Sequence, residues 1–206
     1  MGFELNPYDK CVANKIINGK QCTMTWYVDD NKLSHKDPAV VTEVLEEISK
    51  HFGNLTITRG KKHTFLGMNI TKRKDKKFEI EMKDQLLETI QSFGEKIEGE
   101  VANPATKNLL HIPEEDEDLD EEREKRFHSV VAKLLYLMKR ARPDLEPAVS
   151  FLCTRVSICK KSDWNLLKRV LQYVNTTIDD VRVVGASSLE DIFTFFDASY
   201  AVHQNF

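Results

Sequence analysis

No apolar run in this sequence approaches the ~20 residues that a membrane-spanning helix needs, so the pattern predicts no bilayer span. The opening residues, Met1-Gly2-Phe3-Glu4-Leu5-Asn6, lack the basic flank and apolar core of a signal peptide. Asn6 also stands where a myristoylation motif wants Ser or Thr. The four cysteines, Cys11, Cys22, Cys153 and Cys159, form no CxxC pair. That absence speaks against zinc and for reduced thiols in a cytosolic or nuclear setting. No internal repeat is visible. What remains is globular material: 206 residues, 41% hydrophobic and 31% charged, enough for one large domain or two small ones with a sizeable core.

The net charge of -3 is a sum of opposites. Residues 114–124 hold nine acids and one Arg, and without that run the rest of the chain is +5. Residues 59–77 hold eight Lys or Arg against one Asp. A basic body with its acid gathered in one block suits a polyanionic partner, although charge runs are also ordinary solvated faces and linkers.

The order of elements predicts an α+β fold. Residues 1–20 show little regular pattern, with Asn6-Pro7 and Asn18-Gly19 as turn signals. Residues 21–28 are β-prone, Asp29-Asp30 reads as a turn, and 31–35 as the return strand. Asp37-Pro38 opens a helix whose Val41, Val44, Leu45, Ile48 and Phe52 share a face, and Gly53 stops it. Strands are expected at 55–58, 63–72 and 77–82, linked by basic turns, and then a helix at 84–93. Residues 95–123 carry Pro104, Pro113 and the acidic block and read as a linker. Beyond it, Phe127, Val130, Val131, Leu134, Leu135 and Met138 form a first helical stripe, and Leu145, Val149, Leu152 and Val156 a second. Ser162-Asp163 starts a third, with Leu166, Leu167, Val170, Leu171 and Val174 inward. Two strand-like runs, 181–184 and 192–196, close the chain ahead of Asp197.

The chemistry centres on Tyr27-Val28-Asp29-Asp30. Two adjacent carboxylates at a hairpin apex suit a hard cation such as Mg2+, which takes one or two protein carboxylates and completes its octahedron with water and phosphates. Paired ions of that kind drive in-line phosphoryl displacement. Asp-Asp is equally ordinary turn chemistry, and four residues alone do not decide.

The chain as a whole does more. Gly2-Phe3, Asn6-Pro7-Tyr8-Asp9 and Cys11, then Tyr27-Val28-Asp29-Asp30, then Phe65-Leu66-Gly67-Met68-Asn69-Ile70 follow one another in order. Leu134-Leu135-Tyr136-Leu137, Ala141-Arg142-Pro143-Asp144, Trp164 with Leu167-Lys168-Arg169-Val170-Leu171-Gln172-Tyr173, and Phe196-Asp197-Ala198-Ser199-Tyr200 continue the series. This succession resembles the reverse transcriptase of copia-type long-terminal-repeat retrotransposons, along nearly the whole chain. The resemblance implies a partial palm and thumb with the YVDD hairpin over residues 1–95 and an acidic linker over 96–123. It implies a helical connection region over 124–180 and the truncated start of a ribonuclease H-like domain over 181–206. It implies RNA-directed DNA polymerase activity with Mg2+, or Mn2+ in its place. Asp29 and Asp30 would be metal-binding catalytic carboxylates, and Asp197 the first ligand of the ribonuclease site. Tyr27, Phe65, Leu66 and Gly67 would lie along the primer. The basic residues Lys72, Arg73 and Lys74 would track a phosphate backbone. The implied partners are an RNA template, a DNA primer, deoxynucleoside triphosphates and the rest of a polyprotein, with no membrane. The setting would be a cytoplasmic virus-like particle and the nucleus.

Against the family pattern, no residue ahead of Tyr27 resembles the upstream strand that carries the third catalytic Asp, and Asp9 belongs to a different segment. Fingers are not recognisable, and no further ribonuclease ligand follows Asp197. The expectation is therefore low activity for this chain alone. The alternative is a non-catalytic nucleic-acid-binding remnant of a decayed element.

Overall fold

Tight turns shape the first sheet. In the computed structural model, which describes residues 1–188 and 190–196, Asn18 and Gly19 both take left-handed φ, 52° and 69°. Such a two-residue turn matches the right-handed twist of the strands it joins. Four strands, β1 (Glu4–Leu5), β2 (Val12–Ile17), β3 (Lys20–Tyr27) and β4 (Asp30–Ser34), run antiparallel in that order. They belong to the first of two compact units, Met1–Gly67. β1 and β2 lie where the sequence shows no regular pattern. Asn14-Lys15 interrupts the apolar residues of β2, and its pairing with β3, from Val12↔Thr25 to Ile17↔Lys20, supplies what local propensity does not.

Helix α1 (Pro38–Phe52) starts and stops where the sequence places it, but the expected face is shifted: Val40 and not Val41 is buried with Val44, and Phe52 is 79% exposed in the last turn. Asp37 caps it by accepting the Ala39 N–H at 2.9 Å, Pro38 sits in its first turn, and Gly53 ends it at φ 85°. Its Val40 and Val44 pack with Cys22 into a small core flanked by Phe3, Ile17, Leu33 and Ile48. The pairs Lys15↔Cys22 and Met24↔Leu33 put those side chains on the α1 side of the sheet. Asn14, Gln21, Thr23, Thr25 and Lys32 therefore occupy the other, polar face, where Gln21, Thr23 and Asn14 are hydrogen-bonded together. Residues 55–58 form no strand. The strand expected over 63–72 is also broken: β5 (Lys62–Phe65) ends before Leu66 and Gly67, whose φ of 52° and 69° repeat the Asn18-Gly19 turn.

The second unit begins at Met68. Strands β6 (Met68–Lys72), β7 (Phe78–Glu81) and β8 (Arg182–Val184) pair antiparallel, with Ile70↔Ile80 and Ile80↔Arg182 in register. Helices α2 (Lys83–Ser92), α3 (Glu121–Arg140), α4 (Glu146–Arg155) and α5 (Lys161–Thr176) build the core. Phe127, Val130, Leu134 and Leu137 of α3 meet Leu152 of α4, Leu167, Val170 and Leu171 of α5, and Leu86 of α2, all fully buried. The predicted stripes are those that pack, except that Leu135 faces out, and of Leu86, Leu87, Ile90 and Phe93, expected inward on the 84–93 helix, Leu87 is exposed.

The expected linker is corrected here. Residues 96–119 contain no helix, but they are strapped to α5. Gln172 donates to the Glu98 carbonyl (2.6 Å) and Arg169 to Asn103 (3.0 Å). Lys161 pairs with Glu117 (2.7 Å), Lys160 pairs with Asp118, and Leu119 is buried. Composition reads this acidic run as a spacer, yet the two lysines opening α5 give it a docking site. The units divide at Gly67/Met68 instead of within 96–123. Residues 192–196 form no strand, and Ile192, Phe193, Phe195 and Phe196 are exposed. The described residues are thus mixed α and β, and none of their helices is long and apolar enough to cross a membrane.

Candidate functional site

The β3–β4 hairpin closes one residue earlier than the sequence suggests. Tyr27 pairs with Asp30, which leaves Val28-Asp29 as the turn. Val28 sits at φ 51°. A β-branched residue there carries strain of about 1–2 kcal/mol, because its Cβ crowds the following carbonyl. Such strain persists only where the surroundings over-determine it, and the β3–β4 ladder from Thr23↔Ser34 to Tyr27↔Asp30 does so here.

The turn presents its carboxylates openly. Tyr27, Val28, Asp29 and Asp30 are all exposed, and Tyr27 and Asp30 lie on the polar face of the sheet, away from α1. Among the described residues, no hydrogen bond or ion pair engages the side chain of Asp29 or Asp30. Lys32, half-buried on the same face, has its ammonium pKa lowered by desolvation.

Two solvated carboxylates are hard oxygen donors of the kind Mg2+ accepts, so the hairpin fits one such ion whose remaining positions go to water and phosphate oxygens. It does not complete a two-ion site. Among the described residues, no group of three or more His, Cys, Asp or Glu side chains is placed to hold a metal. Asp9 is committed elsewhere, accepting the Cys11 N–H at 2.8 Å. Asp197 lies outside the described residues.

The remaining predicted residues fall into two further groups. Phe65 ends β5, and Leu66-Gly67 form the left-handed turn just described, so this motif is a turn and not a strand interior. Lys72 ends β6, and Arg73 and Lys74 begin the tip that returns to β7. Within that tip Arg73 donates to Asp75 (3.2 Å) and Glu79 (2.8 Å), which neutralises its charge locally. Slight desolvation raises the Asp75 carboxyl, but the Lys77 amide and the Arg73 guanidinium outweigh it and hold the group below its usual range. Lys72 and Lys74 stay exposed. The sequence shows eight cations here without showing that Arg73 is spent on Glu79 across the ladder.

The motif residues of the second unit are structural. Arg142, 2% exposed, grips Asp144 through Nε (3.0 Å) and Nη2 (2.8 Å) and donates to the Thr177 carbonyl (3.2 Å) and hydroxyl (2.6 Å). Trp164 stacks on Phe93 at 4.3 Å and donates to Glu95 (3.2 Å), which also accepts from Lys168 (3.2 Å). Arg155 and Asp163 form a buried pair at 3.2 Å.

One exposed motif residue has no role in the sequence analysis. Tyr8 projects from the β1–β2 loop, 98% exposed, and the Asn6-Pro7 turn signal was the only clue to that loop.

Comparison with known proteins gives several similarities, two of which follow. The chain is 25% identical over 185 residues to the retrovirus-related Pol polyprotein from transposon TNT 1-94 of Nicotiana tabacum, a match covering 87% of this chain and 14% of that protein. It is 37% identical over 75 residues to an uncharacterized mitochondrial protein of Arabidopsis thaliana, covering 36% of this chain and 31% of that one. The chain thus spans about a seventh of the first relative and about a third of the second. No family model and no solved structure matches. The first similarity supports a retroelement-derived chain, related to a transposon Pol polyprotein.

Proposed function

We propose that this chain is part of the RNA-directed DNA polymerase of such a polyprotein, comprising a portion of its palm and thumb, its connection region and the start of its ribonuclease H domain. The observation that carries the reading is the Val28-Asp29 turn, a strained two-residue hairpin that holds two solvated carboxylates out from a rigid sheet. Asp29 and Asp30 bind Mg2+, or Mn2+ in its place, and Tyr27 beside them contacts the primer end. The ion supplies charge neutralisation at a transferring phosphate. This chain's own part is to fix the position of its carboxylate oxygens. Phe65, Leu66 and Gly67 hold the primer strand at the left-handed turn, and Lys72 and Lys74 contact the phosphate backbone. Asp197 belongs to the ribonuclease site. Template RNA, primer DNA, deoxynucleoside triphosphates and the remaining polyprotein are the partners, in a cytoplasmic particle and in the nucleus.

Primer extension tests the reading, using a longer chain that continues this one upstream through a strand with the third carboxylate. Mg2+-dependent extension is expected, with a fall on the order of 10³-fold in Asp29→Asn. Extension that is absent, or that survives Asp29→Asn, overturns it.

A further inference from the structure

The loop between β1 and β2 is held in a single shape by its own polar groups. Asn6 Oδ1 accepts the Tyr8 N–H (2.9 Å) and the Asp9 N–H (3.2 Å), and Asp9 Oδ1 accepts the Cys11 N–H (2.8 Å). The Asn6 N–H reaches the Val12 carbonyl (2.8 Å), and the Trp26 N–H reaches the Cys11 carbonyl (2.9 Å). Every one of these groups would bond water if the loop were loose, so their mutual closure fixes the direction in which residue 8 leaves the chain. That residue is a tyrosine with 98% of its surface in solvent. An aromatic ring left so bare on a rigid loop is not packing anything within its own unit.

Register places the loop. Leu5 pairs with Ala13, and Val12 with Thr25, so the residues between β1 and β2 lie at the end of the sheet where β3 runs out into Tyr27. The Val28-Asp29 turn is at that same end. Lys10, two residues from Tyr8, is exposed and has no acidic partner within ion-pair distance among the described residues. A bare aromatic ring and an unpaired ammonium two residues apart on one loop match the two parts of a nucleotide, a base to stack and a phosphate to pair.

We infer that Tyr8 is a base-stacking platform, and Lys10 its phosphate contact, for a single nucleic-acid strand passing the carboxylate end of the first sheet. The inference rests on the polymerase reading for the identity of the strand, and it adds a binding element that lies outside the hairpin. Stacking on a ring is indifferent to which base is present, as copying of arbitrary sequence requires.

Binding measured without Mg2+ on the full chain separates this from polymerisation. The probes are a short single-stranded oligodeoxyadenylate and a strand of equal length built from abasic sugar-phosphate units. Tyr8→Ala is expected to weaken binding of the oligodeoxyadenylate about 5- to 10-fold and to leave the abasic strand unaffected, with Tyr8→Trp and Tyr8→Phe retaining the base-dependent part. Equal affinity of the natural chain for both strands, no change on Tyr8→Ala, or an equal loss on both strands overturns the inference. Extension lost in Asp29→Asn with no base-dependent effect at residue 8 leaves the polymerase reading standing and removes this one. A base-dependent effect at residue 8 without any extension by the longer chain does the reverse.

Discussion

The two units spend their sequence differently. Among the described residues, four buried hydrophobic side chains belong to Met1–Gly67 and twenty-two to the second unit. The first unit closes one small cluster under α1 and leaves a polar sheet face, Tyr8 and the Val28-Asp29 turn in solvent. The second buries Arg142 and Trp164 and ties them to partners. A resemblance carried by short motifs therefore mixes two kinds of signal. Tyr27 to Asp30 are held outward with nothing to pack, whereas Arg142-Pro143-Asp144 and Trp164 are joints of a helical core. Substitution should separate the two: motif changes in the second unit cost stability, and those in the first cost binding or chemistry.

The strongest stability test of that division is Asp144→Asn. It leaves the buried Arg142 without the Asp144 charge and with one side-chain oxygen at residue 144 in place of two, Thr177 still accepting as before. Removing one member of a fully buried pair costs about 3–5 kcal/mol, and the exposed third of Asp144 lowers the expectation to about 2–3 kcal/mol. Urea denaturation followed by helical circular dichroism reads it. The same pair gives the second unit an acid limit. Desolvation raises the Asp144 carboxyl, but its bonds and charge contact with Arg142 more than offset this and hold it below its usual range. A carboxylate with a depressed folded pKa contributes fully above its unfolded value of about 3.9 and loses that contribution as pH falls through the folded one. As pH falls from about 4 down through that lower folded value, the natural chain and Asp144→Asn should therefore converge. A cost under about 0.5 kcal/mol at neutral pH would make this an ordinary surface pair and blur the distinction between the units.

What the sequence disclosed follows from how local each cause is. The two ends of helix α1 were legible because Asp37, Pro38 and Gly53 act on their own neighbours, whereas its buried face, which takes Val40 and leaves out Phe52, is set by the sheet it covers. The stripes of α3 and α5 were legible because helical periodicity is set within a few turns. β2 was not, since Val12–Ile17 owes its strand to β3 and not to its own alternation. The acidic run was misread as a linker because its partners, Lys160 and Lys161, lie more than 40 residues away. At the candidate site the carboxylate pair was visible as letters. The strained Val28, the commitment of Asp9 to the Cys11 amide and the neutralisation of Arg73 by Glu79 required the fold.

Val28 sharpens the comparison from the other side, because here a motif residue in the first unit opposes stability. Its φ of 51° is strained for a β-branched side chain and free for glycine. Val28→Gly removes about 1–2 kcal/mol of strain while adding some unfolded-chain entropy, so a net gain of about 0.5–1 kcal/mol is expected in the melting of the first unit. Val28→Ala should gain less, because any Cβ retains part of the clash. A destabilised glycine variant would mean that the exposed valine packs on something, contrary to its 80% exposure.

The finest test lies inside one basic hairpin, where the two kinds of residue sit side by side. Arg73 faces Asp75 and Glu79 and spends its charge within the protein, whereas Lys74, its neighbour, has no acidic partner among the described residues. Each phosphate contact contributes about one to the slope of log affinity against log salt, so Lys74→Gln should lower the slope measured on an RNA–DNA duplex by about one. Arg73→Gln should leave that slope nearly unchanged. Its ion pairs are exposed, and their loss should cost only about 0.2–1 kcal/mol of stability. Equal slopes for the two variants would mean that Arg73 abandons Glu79 for phosphate when the strand arrives. The carboxylates it left would then repel the same backbone, so the slope in Glu79→Gln should rise, and that second measurement decides whether the ion pair is a fixed part of the hairpin or a competitor for the strand.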